Sequence, residues 1–452
     1  MISRRMTFYF DAASCSGCKA CQIACLDRHG LDVDRPWRRV SEVAGGGWEQ
    51  DGAAWRNTVF AYHLSISCNH CERPICLEGC PARAITRRDD GVVFIDPDHC
   101  LGCGYCSWTC PYSAPRLHAA QGVMTKCTFC AEDLDEGREP ACVAACPVRA
   151  LDAGDPAELA VRHGSSDHGA GLAPLPCASL TEPALHLAPH ADGERSTEPG
   201  VELTPRPPRG LREWSLVLFT VLSQMAAGLA IMTGFMPSRA DVMLPVSAVL
   251  MAVAMVVSTW HLGRPRNAWR SFLNLRSSWL SREILLALGL LGSAVIGVPW
   301  LAVPAAVLFL VGMGRVYMQR TMPSWNSWRT MLAFTATALL LGGLLANALL
   351  WTVGPVDAGL VRLASIALLA ICGVGIGLGG GLAGSRHGSM IRSAGHVSVA
   401  LAVVTIGMLW LRPESSAGIA STMLCWLTFL FALLDQFTRR RAYFGRYERL
   451  GV

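Results

Sequence analysis

The sequence predicts two fold classes in one chain: a small, cysteine-rich α+β domain, then an all-α domain that crosses a membrane several times. Three observations carry this expectation. Of 19 cysteines, 17 precede residue 178. Apolar runs of membrane-spanning length recur only from Trp214 onward. Charge divides at the same place: residues 1–210 hold 20 Lys+Arg against 27 Asp+Glu, and residues 211–452 hold 19 against 7. With 52% apolar and 16% charged residues, a single soluble globule and a disordered chain are both poor fits.

Residues 1–150 contain short strand-like pieces, Thr7–Phe10, Val59–Leu64 and Val92–Ile95, set between cysteine clusters. Long periodic apolar segments are few, so cohesion must come from elsewhere, and bound metal supplies it. Met1 to Phe10 includes Arg4 and Arg5 but no apolar stretch or cleavage site, so neither a secretory nor a twin-arginine signal is expected, and a cytoplasmic start is. Residues 151–210 are rich in Pro, Gly, Ala and His without periodicity and read as an extended tail and linker, most linker-like over Pro189–Gly210. His163, His168, His186 and His190 are irregularly spaced there, which favours a solvated linker over a metal site.

Residues 211–452 give eight expected transmembrane helices: about 215–235, 242–261, 283–300, 302–319, 331–352, 363–382, 395–411 and 419–437. The third and fourth are divided only by Val298-Pro299-Trp300-Leu301. The Gly373–Gly381 run lacks the Gly-Lys-[Ser/Thr] ending of a phosphate loop and reads as close helix packing. If both termini lie on one side, that side holds 18 loop arginines and the other holds Arg239, Arg362 and Arg412. By the positive-inside rule the cysteine-rich domain and both termini face the cytoplasm of a prokaryotic inner membrane.

Sixteen cysteines fall in four groups: Cys15, Cys18, Cys21 and Cys25; Cys68, Cys71, Cys76 and Cys80; Cys100, Cys103, Cys106 and Cys110; Cys127, Cys130, Cys142 and Cys146. The last three groups end in Cys-Pro, and the third has the bacterial ferredoxin spacing Cys-x2-Cys-x2-Cys-x3-Cys-Pro. Three thiolates on one tight loop hold three corners of a cubane. The fourth, expected at a helix start preset by the following proline, reaches a neighbouring cluster. Groups therefore work in pairs, giving four [4Fe-4S] clusters and a double ferredoxin-like iron–sulfur domain. Disulfides do not suit a cytoplasmic domain, and zinc has no use for the third cysteine or the Cys-Pro ending. Cys177, Cys372 and Cys425 stand alone and read as unligated.

Cys15-Ser-Gly-Cys-Lys-Ala-Cys21, Cys68-Asn-His-Cys-Glu-Arg-Pro-Ile-Cys76, Asp98-His-Cys-Leu-Gly-Cys-Gly-Tyr-Cys106, Cys110-Pro-Tyr-Ser-Ala-Pro115, Lys126-Cys-Thr-Phe-Cys130 and Cys142-Val-Ala-Ala-Cys-Pro147 resemble the four-cluster subunit of the dimethyl sulfoxide reductase family of molybdoenzymes. The likeness covers residues 1 to about 190, including the segment Ala173–Pro183. It implies four ligand sets: Cys15, Cys18, Cys21 with Cys146; Cys25 with Cys127, Cys130, Cys142; Cys68, Cys71, Cys76 with Cys110; and Cys80 with Cys100, Cys103, Cys106. It also implies that the first set faces a molybdenum subunit and the last faces the membrane. Relatives with Trp at the second position of the third group hold three irons there; Cys103 implies four.

In the membrane half, Trp260-His261-Leu-Gly-Arg264-Pro-Arg266-Asn-Ala-Trp269 and Ser278-Trp-Leu-Ser-Arg282-Glu283-Ile place ionisable groups at span ends on the cluster side. A quinone needs a hydrogen-bond donor and a proton exchanger beside its electron source, and His and a partly desolvated Glu supply them. The plainer reading is that His261 caps a span and the arginines only obey the topology rule. The stretch resembles the membrane-anchor subunit of the same family, whose His-Leu-Gly-x-Pro and Ser-x-Glu-Ile-like segments line a quinol site. That likeness assigns His261 and Glu283 to it. The arginine that the family uses just after the proline has no clear equivalent; Asn267 lies near its place, and Arg264 and Arg266, close by, are the further candidates. Haem ligation is disfavoured, since His261, His387 and His396 all lie on one side, none mid-span. Arg315, Asn347 and Asp435 are further polar residues in or near spans.

Both halves thus resemble subunits of one complex. The expected function is electron transfer through four [4Fe-4S] clusters between membrane quinone and a separate molybdopterin catalytic subunit, with the lipid bilayer and no nucleic acid as further partners. Either direction of flow fits, and cytoplasm-facing sulfite-oxidising relatives favour quinone reduction. The alternative is a partnerless ferredoxin:quinone redox module that translocates ions.

Overall fold

The computed structural model of the chain describes residues 5–164, 175–198, 200–204, 214–353 and 419–445. In chain order the first half contains β1 (Thr7–Asp11), α1 (Ala20–Arg28), β2 (Arg39–Gly45), β3 (Trp48–Asp51), β4 (Ala54–Asn57), β5 (Phe60–Ile66), α2 (Ile75–Gly79), β6 (Ile85–Arg87), β7 (Val93–Ile95), α3 (Tyr105–Thr109), β8 (Arg116–His118), β9 (Val123–Thr125), α4 (Ala131–Asp135), α5 (Ala141–Ala144), β10 (Leu151–Gly154), α6 (Pro156–His163), β11 (Leu185–Ala188) and β12 (Glu202–Thr204). All three strand-like pieces seen in the sequence lie on strands: β1, β5 and β7.

β1 is a central strand, antiparallel to β10 (Phe10 opposite Leu151) and parallel to β11 (Phe8 opposite Leu185). Its residues Thr7 to Phe10 are buried without alternation, because both faces are covered. Phe8 stacks on Phe129 at 4.0 Å. A second sheet runs β12-β2-β5, with Arg39 opposite Ile66 and Gly45 opposite Phe60. Remaining strands form the hairpins β3–β4, β6–β7 and β8–β9.

The segment expected as tail and linker runs against this domain rather than away from it. Its strands β10, β11 and β12 edge both sheets. The histidines read as solvated pack instead: His163 stacks on Tyr9 at 3.8 Å, His190 on Tyr62 at 5.1 Å, and His186 is buried. Aromatic faces, which spacing does not reveal, meet His163 and His190. His168 lies outside the described residues.

The second half is helical: α7 (Trp214–Met232), α8 (Ala240–Ser258), α9 (Trp279–Ile296), α10 (Pro299–Tyr317), α11 (Trp328–Val353) and α12 (Ile419–Gly445). Among the described residues five helical stretches are long and apolar enough to cross a membrane: Trp214–Met232, Pro237–His261, Trp279–Ile296, Pro299–Tyr317 and Trp328–Val353. α12 covers the expected eighth span. The expected sixth and seventh spans, Cys372 and the Gly373–Gly381 run lie outside the described residues. α9 begins four residues before the expected 283, because Ser278 accepts the amide of Ser281 as an N-cap. It stops at Gly297, whose φ of 78° closes it, and Pro299 opens α10. α7 is the central helix, and at Gly228 its backbone meets Ala338 and Gly342 of α11, where a β-carbon has no room.

The expected polar span residues, and the lone Cys425, have local partners. Arg315 lies over the Trp279 ring at 5.7 Å, Asp435 pairs with Arg439 at 2.8 Å, and Asn347 reaches Cys425 Sγ at 3.8 Å.

Candidate metal centres and the membrane seam

Each cysteine group turns at the residue two positions past its first cysteine. Gly17, His70, Gly102 and Phe129 have φ of 68°, 40°, 68° and 59°. The turn aims main-chain amides back at sulfur: Gly102 N–H donates to Cys100 Sγ at 3.4 Å, and Phe129 N–H to Cys127 Sγ at 3.3 Å. Short helices then carry Cys21, Cys76, Cys106 and Cys142. The fourth cysteine of a group is not at a helix start, as the spacing suggests. Cys80 and Cys110 close α2 and α3 with ψ of 113° and 116°. Pro81 and Pro111 force this, because the residue before proline is excluded from the helical region.

The four sets converge. Cys15, Cys18, Cys21 and Cys146 line one pocket, beside Phe10, Val40 and Ser65. Cys80, Cys100, Cys103 and Cys106 line another, beside Leu101 and Met124. Cys142 and Cys130 sit close enough to Cys25 to oppose its ionisation, as Cys68 and Cys110 do for Cys71. Burial pushes the thiols of Cys25, Cys71 and Cys103 up to about 12, and those of Cys76, Cys106 and Cys127 well above the ordinary range.

Thiols in this state become thiolates only when a bound group brings positive charge of its own. Two buried cations add to it. Arg38 donates to Ser65 Oγ and Ser67 Oγ at 3.2 and 3.0 Å; burial alone would lower it, and Cys142, Cys21 and Cys127 raise it. Lys126 donates to the carbonyls of Val93 and Cys127, and Cys68, Cys76 and Cys127 likewise outweigh its burial. Among the described residues no three Cys, His, Asp or Glu side chains close on a single metal ion. Sulfurs spread around a void with amides aimed at them fit a multi-iron cluster better than zinc.

The last of these sets lies against the membrane helices. Tyr105 and Trp108 of α3 share one buried core with α7 to α11. Gln319 Nε2 donates to Tyr105 Oη at 2.6 Å, and Thr321 Oγ1 donates to the Trp108 carbonyl at 3.0 Å. Burial, then the nearby Glu283 and Cys103, keep the Tyr105 hydroxyl protonated far above its ordinary range.

The four residues expected at a quinone site are treated differently. Glu283 is 2% exposed, and its Oε1 has no hydrogen-bond partner among the described residues; His261 Nδ1 is likewise buried and unpartnered. No hydrogen bond joins the two among the described residues. Arg264 is committed elsewhere, donating to the carbonyls of Pro97 at 2.8 Å and Gln121 at 3.1 Å. Arg266 is exposed. Asn267 donates to the carbonyls of Asp98 and Cys100. Spacing does not single out Tyr105 or Gln319. Their only signal is polarity at the edge of apolar runs.

A profile described as a 4Fe-4S dicluster domain matches residues 59–156, and one described as the DMSO reductase anchor subunit matches residues 208–407. Over 185 residues the chain is 46% identical to the B subunit of the anaerobic dimethyl sulfoxide reductase of Escherichia coli (strain K12), covering 41% of this chain and 89% of that subunit. The chain belongs to the dimethyl sulfoxide reductase iron–sulfur subunit family. Its relatives include the corresponding B subunit from Haemophilus influenzae, 43% identical over 184 residues (40% of this chain, 88% of that subunit). A formate dehydrogenase iron-sulfur subunit from Wolinella succinogenes is 34% identical over 198 residues (38% and 93%). This family member is therefore an iron–sulfur electron-transfer subunit with a ferredoxin-type 4Fe-4S domain, fused to a helical membrane anchor of the dimethyl sulfoxide reductase type. It is part of an oxidoreductase complex, and substrate catalysis belongs to another subunit.

Proposed function

We propose that the chain passes electrons singly through four [4Fe-4S] clusters between a separate molybdopterin catalytic subunit and the membrane quinone pool. The clusters are held by Cys15, Cys18, Cys21 and Cys146; by Cys25, Cys127, Cys130 and Cys142; by Cys68, Cys71, Cys76 and Cys110; and by Cys80, Cys100, Cys103 and Cys106. When bound, they supply one-electron exchange at each step. The protein's own part is to space them, keep water from the buried sulfurs and offset their negative charge with Arg38 and Lys126.

One observation carries this reading: the helix bearing Cys106 is buried, through Tyr105 and Trp108, in the core of the membrane helices. An electron at that set is already at the lipid boundary. Quinone there takes two electrons and two protons. His261 presents a donor to a carbonyl oxygen, and Glu283 exchanges protons. The unpartnered buried atoms of both residues suit groups that meet a ligand. Arg264 serves the seam rather than the quinone, and Arg266 adds positive charge outside it. The apolar runs support eight spans, and the arginine asymmetry across them supports an iron–sulfur domain and both termini on the cytoplasmic side.

The test is gentle membrane extraction, identification of what co-purifies, and molybdenum analysis. A large molybdenum-bearing partner supports the reading. A quinone-reactive chain that purifies alone and accepts electrons from ferredoxin overturns the partner and favours the self-contained module.

A further inference from the structure

The hydrogen bonds at the seam run in one direction around two ligand cysteines. Asn274 Nδ2 donates to the carbonyls of Glu78 and Cys80 at 3.0 and 2.9 Å. Ser277 and Ser278 donate to Glu78 and Gly79, both at 2.8 Å. The Glu78 and Gly79 carbonyls end α2 and have no partner within it, and the Cys80 carbonyl, which caps it, also accepts the Arg83 amide at 3.4 Å. Asn267 repeats the arrangement on the other loop, donating to Asp98 at 3.1 Å and Cys100 at 3.4 Å. Each asparagine thus bridges a ligand cysteine's carbonyl and the carbonyl two residues before it. Both cysteines belong to one set, that of Cys80, Cys100, Cys103 and Cys106.

A third contact reaches the sulfur. The backbone N–H of Arg264 donates to the Leu101 carbonyl at 3.0 Å. Leu101 C=O and Gly102 N–H belong to one planar trans peptide and point in opposite directions. The same Gly102 N–H donates to Cys100 Sγ. The membrane half therefore orients and polarises the peptide that hydrogen-bonds a ligand sulfur. Gly263 makes the approach possible: a β-carbon there runs into the Gly122 backbone, and one on Gly102 runs into Gly122 and Gly263.

We infer that the membrane half, through Gly263, Arg264, Asn267 and Asn274, supplies the outer hydrogen-bond shell of the membrane-facing cluster and raises its reduction potential. N–H···S bonds and neutralised carbonyl dipoles stabilise the more negative, reduced form. These are positioning residues and touch neither quinone nor iron. The inference rests on the proposed iron–sulfur ligation by Cys80, Cys100, Cys103 and Cys106.

The experiment is a redox titration followed by EPR, with iron counted per chain, on the purified full chain with whatever subunit accompanies it. The variants are Asn267→Leu, Asn274→Leu and Gly263→Ala. The expected result is a downward shift in the potential of one cluster, or selective loss of its signal, with the others unmoved. Full iron content with all potentials unchanged overturns the inference. If a leucine variant loses all its iron, the same readings are taken on Asn267→Ser and Asn274→Ser, which keep a shorter donor and are expected to shift the same cluster by less. A wild-type chain without iron instead sinks the ligation reading itself, so the two failures are distinguishable.

Discussion

Tyr105, one residue before Cys106, accepts a hydrogen bond from Gln319, two residues past the end of α10, at 2.6 Å. A side chain of the iron–sulfur domain is thereby buried at the mouth of the membrane bundle, within the electrostatic reach of Glu283. Removing this bond by Gln319→Leu leaves a buried hydroxyl under-satisfied and costs about 1–3 kcal/mol. The expected result is a lower thermal midpoint and slower cluster oxidation by a quinone analogue, with iron content unchanged. Stopped-flow bleaching of the cluster absorbance, beside a melting curve, checks it.

His261→Ala and Glu283→Gln are expected to slow electron exchange with quinone by about 10²–10⁴-fold, the usual contribution of a positioned acid or base. The EPR signals of all clusters should persist in both variants. Unchanged quinone kinetics in both removes the site from this end of α8 and α9.

Lys126 is buried between two cysteine sets, and Lys126→Met deletes a cation that faces Cys68, Cys76 and Cys127. Leaving buried charge uncompensated costs roughly 3–5 kcal/mol. The expected outcome is a lower unfolding midpoint and a lower potential for the cluster of Cys68, Cys71, Cys76 and Cys110. Chemical denaturation and EPR titration read the two effects separately.

Asp133 holds α4 against α1 through Arg28, at 2.8 Å, and ties down the loop after α4 through Arg138. Hydrogen bonds from Arg28 and then Arg138 pull its carboxyl from 3.8 to about 2. A depressed folded value means that this contribution is complete above the unfolded value and is lost as pH falls through about 2. Asp133→Asn should therefore flatten part of the acid limb of the stability curve between those values. Urea midpoints of the wild type and Asp133→Asn, read by far-UV circular dichroism at stepped pH, test the slope.

That the first half carries iron–sulfur clusters is legible in the sequence, because tight-loop ligation imposes the kind of spacing its cysteines display. That the second half is a helical membrane anchor is legible because a bilayer demands length and apolarity, and five stretches among the described residues meet that demand. Cys-Pro misleads locally: proline after Cys80 and Cys110 ends a helix instead of starting one, and spacing alone does not distinguish the two. The tail misleads in part because His163 and His190 are held by the faces of Tyr9 and Tyr62, contacts between segments far apart in the chain. Asn267 and Asn274 are equally hidden. Their partners are backbone carbonyls, which every residue possesses, so no pattern of side chains announces them. Arg264 illustrates the same limit: its charge suggests a ligand for quinone, and its geometry makes it a bridge to Pro97, Leu101 and Gln121.

The central claim is a continuous relay of iron–sulfur clusters ending at the membrane. Its most direct test is quantification of iron, zinc and acid-labile sulfide on the purified chain, alongside EPR of the reduced protein. The account predicts about sixteen irons per chain, matching sulfide and four interacting signals. Iron for two clusters or fewer, or zinc in place of iron, contradicts it.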